Sequence, residues 1–231
     1  MADRLDTPRA RARADMVDRI KEIARAHLAE DGPNLSLRAV ARDLGVVSSA
    51  VYRYFASRDE LLTALILDGY AKAGDLIEAA EAAVPRRDLA GRWLALGRAT
   101  RRWALDNPHE FALLYGSPVP GYHAPQETIA QASRPILVAV TILRDGVARE
   151  AITAPADRLP RPLRADVEAI TQVPGFTGVP AALIARAMSV WPQLYGTISF
   201  ELFGRYTNVV HDFDAFFDHQ LKVMSRYLGL S

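Results

Sequence analysis

The segment Ser36–Arg58, SLRAVARDLGVVSSAVYRYFASR, constrains this chain more than any other, because it reads as two short helices joined by a tight turn. Leu37, Val40, Ala41 and Leu44 recur at i, i+3, i+4 and i+7, which gives the first helix one apolar face. Ser36 precedes that run, where its hydroxyl is expected to accept from an orphan N–H of the first turn. Gly45 follows the last periodic residue, and a residue without Cβ suits a left-handed stop there. A second helix is expected to begin at Ser48-Ser49 and to carry Val51 and Phe55 inward. Its other side shows Ser48, Ser49, Tyr52 and Arg53, all capable of hydrogen bonding and none acidic. Two helices joined in this way form a helix-turn-helix, whose second helix fits a DNA major groove. The same hairpin also occurs as a plain packing element.

The neighbourhood favours the first reading. One amphipathic helix precedes the hairpin and another follows directly at residues 58–62. In LRAVARDLGV at 37–46 and AVYRYFASRDELL at 50–62, with the spacing Tyr52-x-Tyr54-Phe55-x-x-Arg58-x-x-Leu61, the chain resembles the DNA-binding domain of the tetracycline-repressor (TetR) family over residues 14–65. That resemblance implies an all-α fold. An N-terminal three-helix DNA-binding domain would be linked by a long helix to a C-terminal helical domain for ligand binding and dimerisation. It also implies roles. Arg38, Ser48, Ser49 and Ala50 match positions that face base edges, where Arg pairs with guanine and Ser donates or accepts. Tyr52, Tyr54 and Arg58 match positions that grip phosphates, Arg53 suits either role, and Ser36 belongs to the same surface. One departure stands out: Val47 occupies the place of the family's small polar cap, with Ser48 one step later.

Along the chain, residues 1–14 are polar and carry Arg4, Arg9, Arg11 and Arg13, so they are read as a flexible basic arm. Such an arm can follow phosphates or enter a minor groove. Residues 15–60 are the expected DNA-binding domain and 61–231 the expected ligand-binding and dimerisation domain. The first helix, at 15–31, buries Met16, Ile20, Ile23, Ala24, His27 and Leu28. His27 reads as a packed imidazole, not a ligand. Asp31-Gly32-Pro33-Asn34 closes that helix. Ser57 with Glu60 has the pattern of a capping box at the start of a helix reaching Ala83. Val84-Pro85 breaks it, and helices are expected at 89–105, 108–114, 126–151, near 163–170, 181–206 and 214–228.

In this C-terminal part, Asn107-Pro108-His109-Glu110-Phe111 through Tyr115-Gly116 is similar to one subgroup of the family. So is Trp191-x-x-x-Tyr195-Gly196 with Glu201-Leu202-Phe203, although His is common there in place of Tyr195. An apolar effector pocket is expected from Trp93, Trp103, Phe111, Tyr115, Tyr122, Val140, Trp191 and Tyr195. Each of these residues also suits an ordinary core. The helix at 181–206 is apolar nearly all round and so must be covered on several sides. A two-fold homodimer interface is therefore expected through Leu194, Ile198, Leu202, Phe203, Phe217, Leu221 and Met224.

Composition narrows the rest. A net charge of +1 leaves any basic surface local. There is no cysteine, which excludes disulfides and thiolate chemistry. No G-x-S-x-G elbow, HExxH pair or phosphate-cradling glycine loop appears, so neither an enzyme nor a cofactor is expected. His211-Asp212 with His219 reads as solvated surface, not a metal site. No secretory leader and no membrane span are visible, which fits a cytoplasmic protein. The expected function is a dimeric transcriptional repressor whose partners are a near-palindromic double-stranded DNA operator and a small apolar or amphipathic effector. The alternative is a helical ligand-binding or protein-interaction module whose hairpin is only structural.

Overall fold

The computed structural model describes residues 7–32, 35–153 and 158–230. These residues form helices joined by turns, with no strand among them. In order they are α1 (Pro8–Asp31), α2 (Leu37–Asp43), α3 (Ser48–Val51), α4 (Arg58–Ala82), α5 (Leu89–Asp106), α6 (Pro108–Tyr115), α7 (Thr128–Ala148), α8 (Arg161–Thr171), α9 (Ala181–Leu202) and α10 (Phe213–Leu228).

Several boundaries differ from the sequence expectation, each for a local reason. α1 begins at Pro8, so residues 8–14 are helical where a flexible arm was expected, while residues 1–6 lie outside the described residues. Thr7 caps it by accepting from the Ala10 N–H at 3.2 Å, and Pro8 enters at a first-turn position where its missing N–H costs nothing. Pro33 and Asn34 of the expected closing turn also lie outside the described residues. α9 stops at Leu202 instead of continuing to Tyr206, because residues 203–209 turn through Gly204 and Asn208, both at positive φ. At α4 the capping box forms in a shifted version. The Ser57 hydroxyl accepts from the Glu60 N–H at 3.1 Å, while the Glu60 carboxylate accepts from the Ala56 N–H at 2.6 Å.

By compactness the described residues fall into two units. The first takes the chain up to Tyr70 together with Asn107–Ile129, and the second takes Ala71–Asp106 with the chain from Ala130 onward. In the first, Ile20, Ala24 and Leu28 of α1 meet Leu37, Val40 and Ala41 of α2, Val51 and Phe55, and Leu61, Leu62 and Leu65 of α4. Each such aliphatic side chain contributes about 1.5–3 kcal/mol by leaving water. Polar ties hold α1 in place: Arg25 and Lys21 pair with Asp68 at 2.8 and 3.0 Å, and Arg25 Nε lies 3.0 Å from Glu110 on α6. His27 is packed as expected, and its Nε2 sits 2.6 Å from Asp43 Oδ2.

In the second unit α5 packs against α10 and α9. Trp93 donates its indole N–H to the Leu221 carbonyl at 3.1 Å. Gly97 allows that approach, since a Cβ there would stand 2.3 Å from Leu221 Cδ2. Arg92 is fully buried and charge-paired with Glu81 and with Asp145 at 2.7 Å. Paired guanidinium–carboxylate contacts join Arg101 to Glu201, Arg98 to Asp218 and Arg134 to Glu78. The guanidiniums of Arg134 and Arg98 hold the Glu78 and Asp218 carboxyls below their ordinary values of 4.5 and 3.8.

Two outcomes follow from these charges. Glu81→Ala leaves Arg92 buried with Asp145 alone, and chemical denaturation should show a loss of about 3–5 kcal/mol. Glu78 and Asp218 are depressed carboxylates, so their stabilisation is present above the ordinary values and lost as pH falls through the lowered ones. Thermal melts from pH 6 to pH 3 should therefore fall less steeply in Arg98→Gln than in the parent protein.

Candidate nucleic-acid interface and effector cavity

The hairpin is closed by its backbone. α2 starts after Ser36, which is extended as a cap should be but makes no side-chain cap bond, contrary to expectation. At the other end the Gly45 N–H donates to the Arg42 carbonyl and the Val46 N–H to the Ala41 carbonyl, each at 3.0 Å. This is the Schellman arrangement, and it requires the left-handed φ of +72° that Gly45 adopts. Val47 is extended and precedes α3 without any side-chain cap, so Ser48 is the first helical residue. After Val51 the chain tightens into turns, with Phe55 N–H and Tyr52 N–H returning to the Val51 and Ser48 carbonyls. Val51 and Phe55 are buried, as the periodicity required.

With the inner side anchored, the outer side is fixed. Ser36, Arg38, Ser49, Tyr52 and Arg53 are exposed, and Val47 is 71% exposed. Ser48, Ala50, Tyr54 and Arg58 are half-buried, which places them at the edge of that surface. Arg13 of α1 stacks its guanidinium over the Tyr54 ring, 5.0 Å from the centroid. Helical residues 8–14 thus bring a cation to the side of the hairpin that the resemblance assigns to phosphate contact. The sequence places Arg13 in a basic arm suited to phosphates; its fixed position beside Tyr54 follows from α1 beginning at Pro8. Arg42, beside Asp43 at 3.0 Å, is largely exposed. Together with His27 it lowers the Asp43 pKa, Arg42 contributing more.

The second unit holds a cavity of about 760 Å³, counting its open mouth. Of the residues expected to line a pocket, it brings together Trp93, Val140 and Trp191. Trp103 and Tyr195 are buried but do not border it; Tyr195 packs against Trp191 with ring centroids 5.1 Å apart. Phe111, Tyr115 and Tyr122 belong to the first unit. There the Phe111 and Tyr115 rings pack at a tilt with centroids 5.1 Å apart, and Tyr122 bonds to Thr63 at 2.9 Å. Tyr122 also borders a shallower hollow with Tyr70, whose phenol is pushed up by burial and then by Tyr122. The remaining cavity wall is aliphatic, including Ile136, Leu143, Val179, Ile184, Met188 and Leu228. Such residues on helices carry no mark in the sequence that separates a wall from a core.

The expected dimer residues need correction. Leu194, Ile198, Phe217, Leu221 and Met224 are at most 1% exposed, in the chain's own core, where a second copy cannot reach them. Leu202 is half-buried and Phe203 is 50% exposed. On α9, the turn after it and α10 the solvent-facing large apolar residues are instead Met188, Phe200, Phe203 and Tyr227. No cluster of three or more potential metal ligands occurs among the described residues, and none of their helices is long and apolar enough to cross a membrane.

Residues 20–65 match the family described as bacterial regulatory proteins, tetR family, and residues 93–224 match the tetracyclin repressor-like C-terminal domain. The HTH-type transcriptional regulator Rv1816 of Mycobacterium tuberculosis is 40% identical over 221 residues, covering 94% of each chain. The regulator Mb1846 of Mycobacterium bovis matches to the same extent. Among solved structures, the candidate regulatory protein SCO4313 is 34% identical, with a TM-score of 0.74 over 94% of this chain and 98% of that one. PfmR, a TetR family transcriptional regulator from Thermus thermophilus, is 21% identical and shares the fold, with a TM-score of 0.60 over 90% of this chain and 98% of its own. The exposed helix-turn-helix, the all-helical second unit and this run of relatives lead to one conclusion: the chain belongs to the tetracycline-repressor (TetR) family and is a ligand-responsive transcriptional regulator, not an enzyme.

Proposed function

We propose that the protein is a repressor that binds a near-palindromic operator as a homodimer and is released when a small effector fills the second-unit cavity. The observation that carries this reading is the hairpin itself: a glycine-closed turn with its apolar side buried and Arg38, Ser49, Tyr52 and Arg53 turned outward. Arg38 and Ser49 read base edges. Tyr54, Arg58 and Arg13 hold phosphates and set the register. Arg53 and Tyr52 stand between the two groups, and Ser36, Ser48 and Ala50 complete the surface. DNA reading lies within residues 15–60, and effector binding and dimerisation within residues 61–231. A regulator of this kind works in the cytoplasm, where the chromosome is.

Dimerisation uses the faces of α9 and α10 that the fold leaves uncovered. Gly196 and Phe200 recur along one side of α9 beyond the cavity mouth, Phe203 follows directly after its last turn, and a Cβ built on Gly196 would meet nothing within 4 Å. Phe216, Val223 and Tyr227 recur along the matching side of α10, and Gln193 bonds to Gln220 across the two helices at 3.2 Å. Two such helices meeting two from a second copy make an isologous four-helix contact.

The primary test is fluorescence anisotropy with DNA from upstream of the protein's own gene and a scrambled control, at two salt concentrations. Salt-dependent binding that is far tighter for the upstream DNA is expected. No binding at low salt by a folded dimer would sink the repressor reading. Arg38→Ala should cost about 1–3 kcal/mol on the preferred sequence and narrow the gap to the control. Tyr54→Phe, which keeps the ring against Arg13, should weaken both DNAs alike. Paired Phe200→Glu and Phe203→Glu should give a folded monomer by light scattering, whereas a dimer that persists would place the interface elsewhere.

A further inference from the structure

The cavity of the second unit has a wall of unusual chemical uniformity. It is built from α5, α7, the turn carrying Phe176 and Val179, α9 and α10, and no lining residue is ionisable. Only the two tryptophans carry a nitrogen donor in the side chain. Trp93 has already committed its N–H to the Leu221 carbonyl, which leaves Trp191. Arg92, Arg98, Arg101 and Arg134 of this unit are each paired with carboxylates, Arg144 of α7 donates to the Gly175 carbonyl and the Thr141 hydroxyl, and none of the five lines the cavity. An anion or ammonium entering this space would lose its hydration and find no counter-charge, a cost that neutral apolar matter does not meet.

The mouth is defined by the two lining residues that are exposed, Met188 and Pro192 on α9. Pro192 lies inside the helix and has no N–H to give the Met188 carbonyl, so the ladder of α9 is interrupted at this point of the wall. The side chain closing the entrance is a methionine, unbranched and adaptable to the shape of an apolar guest.

From the absence of charge, the committed Trp93 N–H and the broken turn at the mouth, we infer that this cavity takes an uncharged, hydrocarbon-rich molecule with at most one neutral polar group, and rejects carboxylates, phosphates and amines. This deepens the reading of the cavity as the effector site and rests on it for its regulatory meaning, although binding itself is measured without DNA.

The test titrates the full-length protein with butylbenzene and with 4-butylbenzoate at pH 7.5. Emission from Trp93 and Trp191 in the wall is the readout, confirmed by calorimetry. Butylbenzene should give a saturable change, and the carboxylate should bind at least tenfold more weakly. Ala187→Phe, which fills the void from α9, should abolish butylbenzene binding while leaving the helical spectrum unchanged. If that variant fails to fold, Ala139→Leu serves from α7. Equal binding of the carboxylate, or no saturable binding of butylbenzene by the folded protein, would overturn the inference. Selective binding of butylbenzene that leaves operator affinity unchanged would support the ligand class and overturn only the effector role.

Discussion

What the hairpin can present depends on one backbone conformation, the left-handed turn at Gly45. At that φ a residue with a Cβ would lose about 1–2 kcal/mol, and the reversal between α2 and α3 would relax toward another angle. The turn satisfies two carbonyls at the end of α2 without any side chain, so α2 and α3 keep their surfaces free. Burial of Val40, Ala41, Val51 and Phe55 then sets which way each short helix is rolled. The outward set follows by exclusion. Arg38, Ser49, Tyr52 and Arg53 face solvent because their neighbours in sequence are held in the core.

α1 acts as the brace for this surface. It reaches α4 through Lys21, Arg25 and Asp68, α6 through Arg25 and Glu110, and α2 through His27 and Asp43. Exposed or partly exposed pairs contribute only about 0–1 kcal/mol each, so their weight in stability is small beside that of Ile20, Ala24 and Leu28. Their value is angular: each fixes a helix that apolar contact alone would leave free to slide. The stacking of Arg13 on Tyr54 extends the brace to the edge of the reading surface.

The second unit separates charge from apolar space in a way that serves recognition. Arginines pair with carboxylates at its periphery and, in Arg92, inside it. The cavity wall has none of this. A void among packed helices persists only if its walls cannot collapse, since cores are otherwise close-packed. Here Trp93 is pinned through its N–H to Leu221, and Gly97 lets α10 approach closely enough for that bond to form.

The local grammar of the chain was legible in its residues. The spacing of Leu37, Val40 and Ala41, the glycine at 45, the Ser57–Glu60 box and the proline breaks marked helices and their ends, because each acts through its nearest neighbours along the chain. Thr7 followed by Pro8 was a start signal of the same kind, obscured by the surrounding arginines. Membership of the family was legible too, since the spaced residues from 37 to 61 fix a hairpin and its outward face together. The tertiary structure alone decided the fate of side chains on helices that are apolar nearly all round. On α9, Leu194 and Ile198 went to the core, Ile184 and Trp191 to the cavity wall, and Met188 and Phe200 to solvent. Periodicity can find an apolar stripe only where a polar face borders it. Where every face is apolar, the choice among core, cavity and surface belongs to whichever neighbouring helix arrives, and that is set by contacts distant in sequence.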